Sequence, residues 1–171
     1  MACNNDSEDR TLKKRLDEIE EIGLLLKAAM RESERRLNEL LRPLGITAGQ
    51  AEVLQILERC GPMSLGELGE LLVAEGGHPS RLIDRMVNAG LLLRETAADD
   101  RRRISIGITE HGQELAQASR ESKKEFRRWV RAQLQGTDME HALRFFRAYL
   151  SGTELEKTVL ARESKGPLAG S

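Results

Sequence analysis

From Leu12 to Leu44, apolar or small residues recur every three or four positions with charged residues between them: Leu12, Leu16, Ile19, Ile22, Leu26, Met30, Ser33, Leu37, Leu40 and Leu44. That spacing predicts one amphipathic helix, from about residue 10 to Arg42, where Pro43 and Gly45 stop it. At about 1.5 Å per residue such a helix is roughly 45–50 Å long. A domain of ordinary size cannot cover a stripe of that length, so a second copy of the chain is its natural cover. Gly23, inside the helix, costs up to about 1 kcal/mol.

The remaining elements are shorter and well punctuated. Thr47-Ala-Gly-Gln50 is a capping-box pattern that opens a helix carrying Val53, Leu54, Ile56 and Leu57. It ends near Cys60-Gly61-Pro62. Ser64-Leu-Gly-Glu67 is a second capping box, before a short helix with Leu68, Leu71 and Leu72. A turn is expected at 74–77. The next helix starts at His78 or Pro79, because proline suits the first helical position, and stops at Gly90. It carries Leu82, Ile83, Met86 and Val87. Two strands, 91–95 and 104–108, flank a polar segment, and Ile104, Ile106 and Ile108 alternate as in a half-buried strand. Thr109 caps a long helix to about Leu134, with Phe126 and Trp129 on one side. After Gly136-Thr137-Asp138 a last helix is expected over 138–160, with Met139, Leu143, Phe146, Leu150 and Val159 facing inward. The fold class is therefore mostly α with a small β-hairpin.

Charge is distributed unevenly. The whole chain carries 27 basic and 28 acidic residues, which taken alone argues against a general nucleic-acid binder. Between His78 and Arg103, however, six arginines (81, 85, 94, 101, 102 and 103) stand against four acids (Asp84, Glu95, Asp99 and Asp100). The acids elsewhere mask a basic patch. A trihelical unit followed by an arginine-tipped hairpin is the pattern of a winged helix-turn-helix. A helix fits the major groove with its N-terminal residues at the base edges. Ser80 and Arg81 lie in that first turn, Arg85 one turn on, and His78 just before it. Arginine can fork onto guanine or grip a phosphate, and the sequence does not decide which. Arg101, Arg102 and Arg103 at the hairpin tip suit a narrow minor groove. Asp100 would repel phosphate and is read as orienting a wing arginine. The bland alternatives are a solvated helix face and an ordinary charged hairpin tip.

The stretch Leu44–Gly112 resembles the MarR (multiple antibiotic resistance regulator) family. The resemblance rests on Ser80-Arg-Leu-Ile-Asp-Arg85, Gly90-Leu-Leu, Asp100-Arg-Arg102 and Ile108-Thr109, taken in order. The family's wing signature (Asp, any residue, Arg, then Leu/Ile-Thr) falls on Asp100, Arg102 and Ile108-Thr109. Before the recognition helix this chain departs from the family, with Glu75-Gly-Gly-His-Pro79 in place of a Ser-Pro-Ser-Thr-like segment, so base preference does not carry over. The resemblance implies a dimeric bacterial regulator that binds double-stranded DNA at a pseudo-palindromic site, expected as a repressor released by a small-molecule effector. It also implies a ligand cleft between the DNA-binding lobe and the dimerisation helices, often for small aromatic or phenolic anions. The expected organisation is a dimerisation helix over 1–45, a winged helix-turn-helix lobe over 46–109, C-terminal dimerisation helices over 110–163 and a disordered tail over 164–171.

Other classes have less behind them. No Gly-rich phosphate loop, HExxH or Ser-His-Asp order stands out, so no enzyme is expected. His111 and His141 are read as surface residues. No metal-ligand spacing and no cofactor motif is present. Cys3 and Cys60 are too few for a disulfide framework. Thiol-based sensing by Cys60 or Cys3 is the alternative switch, although Cys60 closes a helix in an apolar setting of the kind that leaves thiols inert. A helical protein-interaction adaptor is a further alternative. It explains the long helices but not the arginine-tipped hairpin. No apolar run reaches the roughly 18–20 residues that span a bilayer. The polar start MACNNDSEDR has no signal core, so a cytoplasmic protein is expected.

Overall fold

A computed structural model of the chain describes residues 5–73, 79–96 and 104–165. The long amphipathic pattern becomes one helix, α1 (Asn5–Leu41), followed by a single 3-10 turn over Arg42–Leu44. Pro43 lies inside that turn and Gly45 leaves it at φ +68°, a conformation that glycine adopts without penalty. Three helices follow: α2 (Ala48–Cys60), α3 (Leu65–Leu71) and α4 (Pro79–Asn88). Next comes an antiparallel hairpin of β1 (Leu92–Thr96) and β2 (Ile104–Ile108). The chain then forms α5 (Glu110–Gln133), α6 (Met139–Leu150) and α7 (Glu154–Ser164).

Both expected capping boxes are closed in each direction. The Gln50 amide N–H donates to Thr47 Oγ1 (3.3 Å) and Thr47 N–H donates to Gln50 Oε1 (2.8 Å). Glu67 N–H donates to Ser64 Oγ (3.3 Å) and Ser64 N–H to Glu67 Oε2 (2.8 Å). These bonds satisfy backbone donors that a helix start leaves open. One core then joins α2, α3, α4 and the hairpin: Val53, Leu54, Ile56, Leu57, Leu68, Leu71, Leu82, Ile83, Met86, Leu92 and Ile106 are all buried. Leu41 from α1 and Ala116 from α5 close it. The hairpin pairs Leu92 with Ile108, Arg94 with Ile106 and Thr96 with Ile104. Met63 adds a third strand position, exchanging N–H···O bonds with Ile106 of 3.2 and 2.8 Å. That bridge fastens the entrance of α3 to the hairpin, and no residue pattern announces it.

The C-terminal region differs from the sequence expectation. In place of one helix over 138–160, the chain breaks at Ser151-Gly152-Thr153: Gly152 sits at φ +78° and Thr153 caps α7 through Glu156 N–H. The inward placement of the apolar residues also fails. Met139, Leu143 and Phe146 are exposed and Leu150 is half-buried, so α6 contributes nothing to the core of its own subunit. Helix α7 runs through Ser164, which shortens the expected disordered tail at its start. The rest of that tail, 166–171, and the expected turn over 74–77 lie outside the described residues.

Candidate nucleic-acid interface

Helix α4 is built to show one face. Leu82, Ile83 and Met86 are buried, whereas Arg81, Asp84 and Arg85 are exposed on the other side. Burying each of those apolar side chains contributes roughly 1.5–3 kcal/mol, so the rotation of α4 about its axis is fixed by its core stripe. The arginines are thereby aimed away from the lobe. Ser80 is half-buried in the first turn. Arg81 makes no ion pair with any described residue.

The structure pairs Asp84 with Arg94 of β1, carboxylate to guanidinium. Both side chains are about half exposed, so the pair adds at most about 1 kcal/mol. Its consequence is positional. It ties the exposed face of α4 to the middle of β1 and removes Arg94 from the free positive charge counted in the sequence. Arg81 and Arg85 then dominate the exposed face of α4.

At the far end of α4, a single hydroxyl joins three elements. Gly90 turns the chain at φ +70°, and Leu91 N–H reaches back to Met86 O at 2.9 Å, the six-to-one bond of a Schellman ending. Thr109 Oγ shares its hydrogen between the carbonyls of Gly90 (2.8 Å) and Leu91 (3.0 Å). The same oxygen accepts from Gly112 N–H (3.0 Å) to cap α5. The Ile108-Thr109 signature is thus the joint where α4, the hairpin and the long helix meet. His78, Asp100, Arg101, Arg102 and Arg103 lie outside the described residues.

A polar cluster lies behind the lobe. The Arg162 guanidinium on α7 donates through Nε to the carbonyl of Leu71 (2.5 Å) and through Nη2 to Glu52 on α2. Glu52 Oε1 also accepts from Val73 N–H at 3.3 Å. One turn along α2, Gln55 donates to Ser119 Oγ (2.9 Å) and accepts from Lys123 Nζ, both on α5. Burial holds the Lys123 ammonium below the ordinary lysine value, Glu52 partly offsets this, and Arg162 and Arg127 push it down again. Sequence reasoning found none of these residues. Glu52 and Arg162 are 110 positions apart, and neither stands in a motif.

Cys60, at the end of α2, is half-buried against the core. Its packing does not favour thiol sensing by Cys60, and Cys3 lies outside the described residues. Among the described residues no group of three or more His, Cys, Asp or Glu could hold a metal ion, and no helix is long and apolar enough to cross a membrane.

Residues 46–112 match the family model of a winged helix DNA-binding domain. Over 96 residues the chain is 32% identical to the multiple antibiotic resistance protein MarR of Escherichia coli, covering 56% of this chain and 67% of that protein. It is 27% identical over 115 residues to YpoP, an uncharacterised HTH-type transcriptional regulator of Bacillus subtilis, covering 67% of this chain and 81% of the relative. Among solved structures it is similar to E. coli MarR carrying a C80S change in complex with operator DNA, with a TM-score of 0.69 at 24% identity over 78% of this chain and 96% of the other. It is also similar to BpsR of Bordetella bronchiseptica, with a TM-score of 0.67 at 19% identity over 77% and 94% of the two chains. The ordered motifs, the winged-helix lobe with its outward-facing arginine helix, and these likenesses place the chain in the MarR family of DNA-binding transcriptional regulators.

Proposed function

We propose that the protein acts in the cytoplasm as a homodimer on a pseudo-palindromic duplex site, as a repressor that a small aromatic or phenolic ligand releases. The observation that carries the DNA-reading part is the two-faced α4, apolar inward and arginine outward, on a lobe closed by an antiparallel hairpin. In this reading Ser80, Arg81 and Arg85 meet base edges and nearby phosphates in the major groove. His78 contributes at the entrance of the helix. Arg101, Arg102 and Arg103 enter the minor groove or grip phosphates, with Asp100 orienting the wing.

Dimerisation is supported by apolar surface that one subunit leaves bare. On α1, Leu16, Ile19, Leu25 and Met30 are each more than half exposed, and α6 adds Leu143, Phe146 and Tyr149. Exposed apolar area on this scale marks an interface, and a stable one commonly buries more than about 2,000 Å² in total. The ligand has narrower support, from a single structural relative: BpsR, whose DNA binding is regulated by 6-hydroxynicotinic acid. Selection of bound sites from a random duplex pool tests the reading. The expected product is a two-fold related pair of half-sites, bound by a species that sediments as a dimer. Failure to enrich any site, or a stable monomer at micromolar concentration, overturns it.

A further inference from the structure

We infer that Arg162, on the last helix and outside the winged helix, is a positioning residue for DNA recognition: with Glu52 it forms a strut that fixes where the recognition helix begins. This rests on the reading of α4 as the recognition helix. The strut acts at the end of α3. That helix is only seven residues long, too short to be stable by itself, and the carbonyls of its last turn have no partner within the helix. Arg162 supplies one to Leu71, the final residue of α3, while Glu52 accepts from Val73 two residues later. Arg162 and Glu52 also bond each other. A carbonyl and an amide on the strand of backbone leaving α3 are therefore both held from outside, one by α7 and one by α2. Six residues after Val73, α4 begins at Pro79.

Two features make this a mechanical link. The side chains of Arg162 and Glu52 are 17% and 12% exposed, so water competes poorly for their bonds and the geometry is held firmly. Arginine is also the side chain suited to the task. Its rigid fork reaches a carbonyl and a carboxylate at once, which a lysine ammonium on a flexible stem does not reproduce. In the homodimer proposed above, the helices that carry the bare apolar surface, α1 and α6, set the separation of the two reading heads. A rigid contact from α7 to the end of α3 passes that geometry to α4 within each subunit. Mutations along links of this kind shift coupling roughly 2–30-fold.

The test uses Arg162→Met, which keeps the aliphatic packing, and Glu52→Gln, which keeps an acceptor for Val73 and weakens the bond to Arg162. Both are compared with the parent in the full chain, at a temperature where circular dichroism shows them folded and sedimentation shows them dimeric. Arg162→Met should lose fivefold or more in affinity for the selected operator and accept a wider range of half-site spacings, with a smaller loss on random duplex. Without DNA, amide hydrogen exchange across Pro79–Asn88 should accelerate. If Arg162→Met does not fold, Glu52→Gln carries the same test, with a smaller shift in the same direction. Folded variants with parental affinity, parental spacing and unchanged exchange in α4 would overturn the strut, whatever their melting temperature. A parent that binds no duplex would instead defeat the DNA reading of α4, and the exchange measurement would still judge the strut.

Discussion

Gly112 offers the sharpest test of how the lobe is held to the long helix. It lies in the first turn of α5, buried against the joint formed by Thr109. A Cβ placed there would overlap the carbonyl oxygen of Leu91, stand 2.8 Å from Ile108 Cγ1 and 3.3 Å from Leu54 Cδ2. Neither of the first two can yield freely. The Leu91 carbonyl accepts from Thr109 N–H (3.1 Å) and from its hydroxyl, and Ile108 is locked in the hairpin. Displacing that carbonyl forfeits two hydrogen bonds at about 1 kcal/mol each, and overpacking adds about 1–3 kcal/mol. Alanine returns about 1 kcal/mol through its better helix propensity. Gly112→Ala should therefore destabilise the protein by about 2–4 kcal/mol, or roughly 4–16 °C in melting midpoint for a chain of this size. Gly66 on α3 is the internal control: its Cβ would meet only Ser64 Oγ, at 4.0 Å. The same change there should stabilise by up to about 1 kcal/mol. Thermal and denaturant melts of both variants decide the matter. If Gly112→Ala melts within a degree or two of the parent, the close approach that positions α5 on the hairpin is not rigid and the reasoning fails.

Arg81→Ala and Arg85→Ala should each weaken binding to the selected operator by about 1–3 kcal/mol, as loss of a base contact does, while leaving the dimer intact. Titrations that return parental affinity for both would move the reading surface elsewhere on the lobe. Lys123 predicts a pH dependence. Because its folded pKa lies below the 10.5 of an ordinary lysine, the unfolded chain holds more protons between those values, and stability rises with pH there. The cost is fully present below the folded pKa and fades as pH approaches 10.5. As pH rises from the folded pKa toward 10.5, the melting midpoint of the parent should therefore climb relative to that of Lys123→Met. A difference that stays flat or falls would place Lys123 in water.

The lobe was legible in the sequence because its signals are local. Two capping boxes, the C′ glycine after α4, the alternating isoleucines and the Thr109 cap each act within a few residues, where backbone hydrogen bonding and side-chain spacing decide the outcome. The face of α4 was legible for the same reason: a 3.6-residue period names its buried stripe and hence its exposed one. Local signals misled once, at 138–160, where a continuous apolar rhythm outweighed Ser151-Gly152-Thr153 and where the exposed Met139, Leu143 and Phe146 were expected to face inward. Periodicity reports that a face is apolar, not which molecule covers it. Residues joined only by the fold were beyond reach. Glu52 finds Arg162, Gln55 finds Lys123, Asp84 finds Arg94 and Met63 finds Ile106 because helices and strands far apart in the chain pack side by side. A polar side chain carries no mark of a partner that packing will bring to it. The sequence by itself determined the elements as far as α5, the family and the side of α4 that faces outward. Tertiary packing alone decided how the reading head is braced, since a brace is a contact between surfaces that exist only once the core has closed.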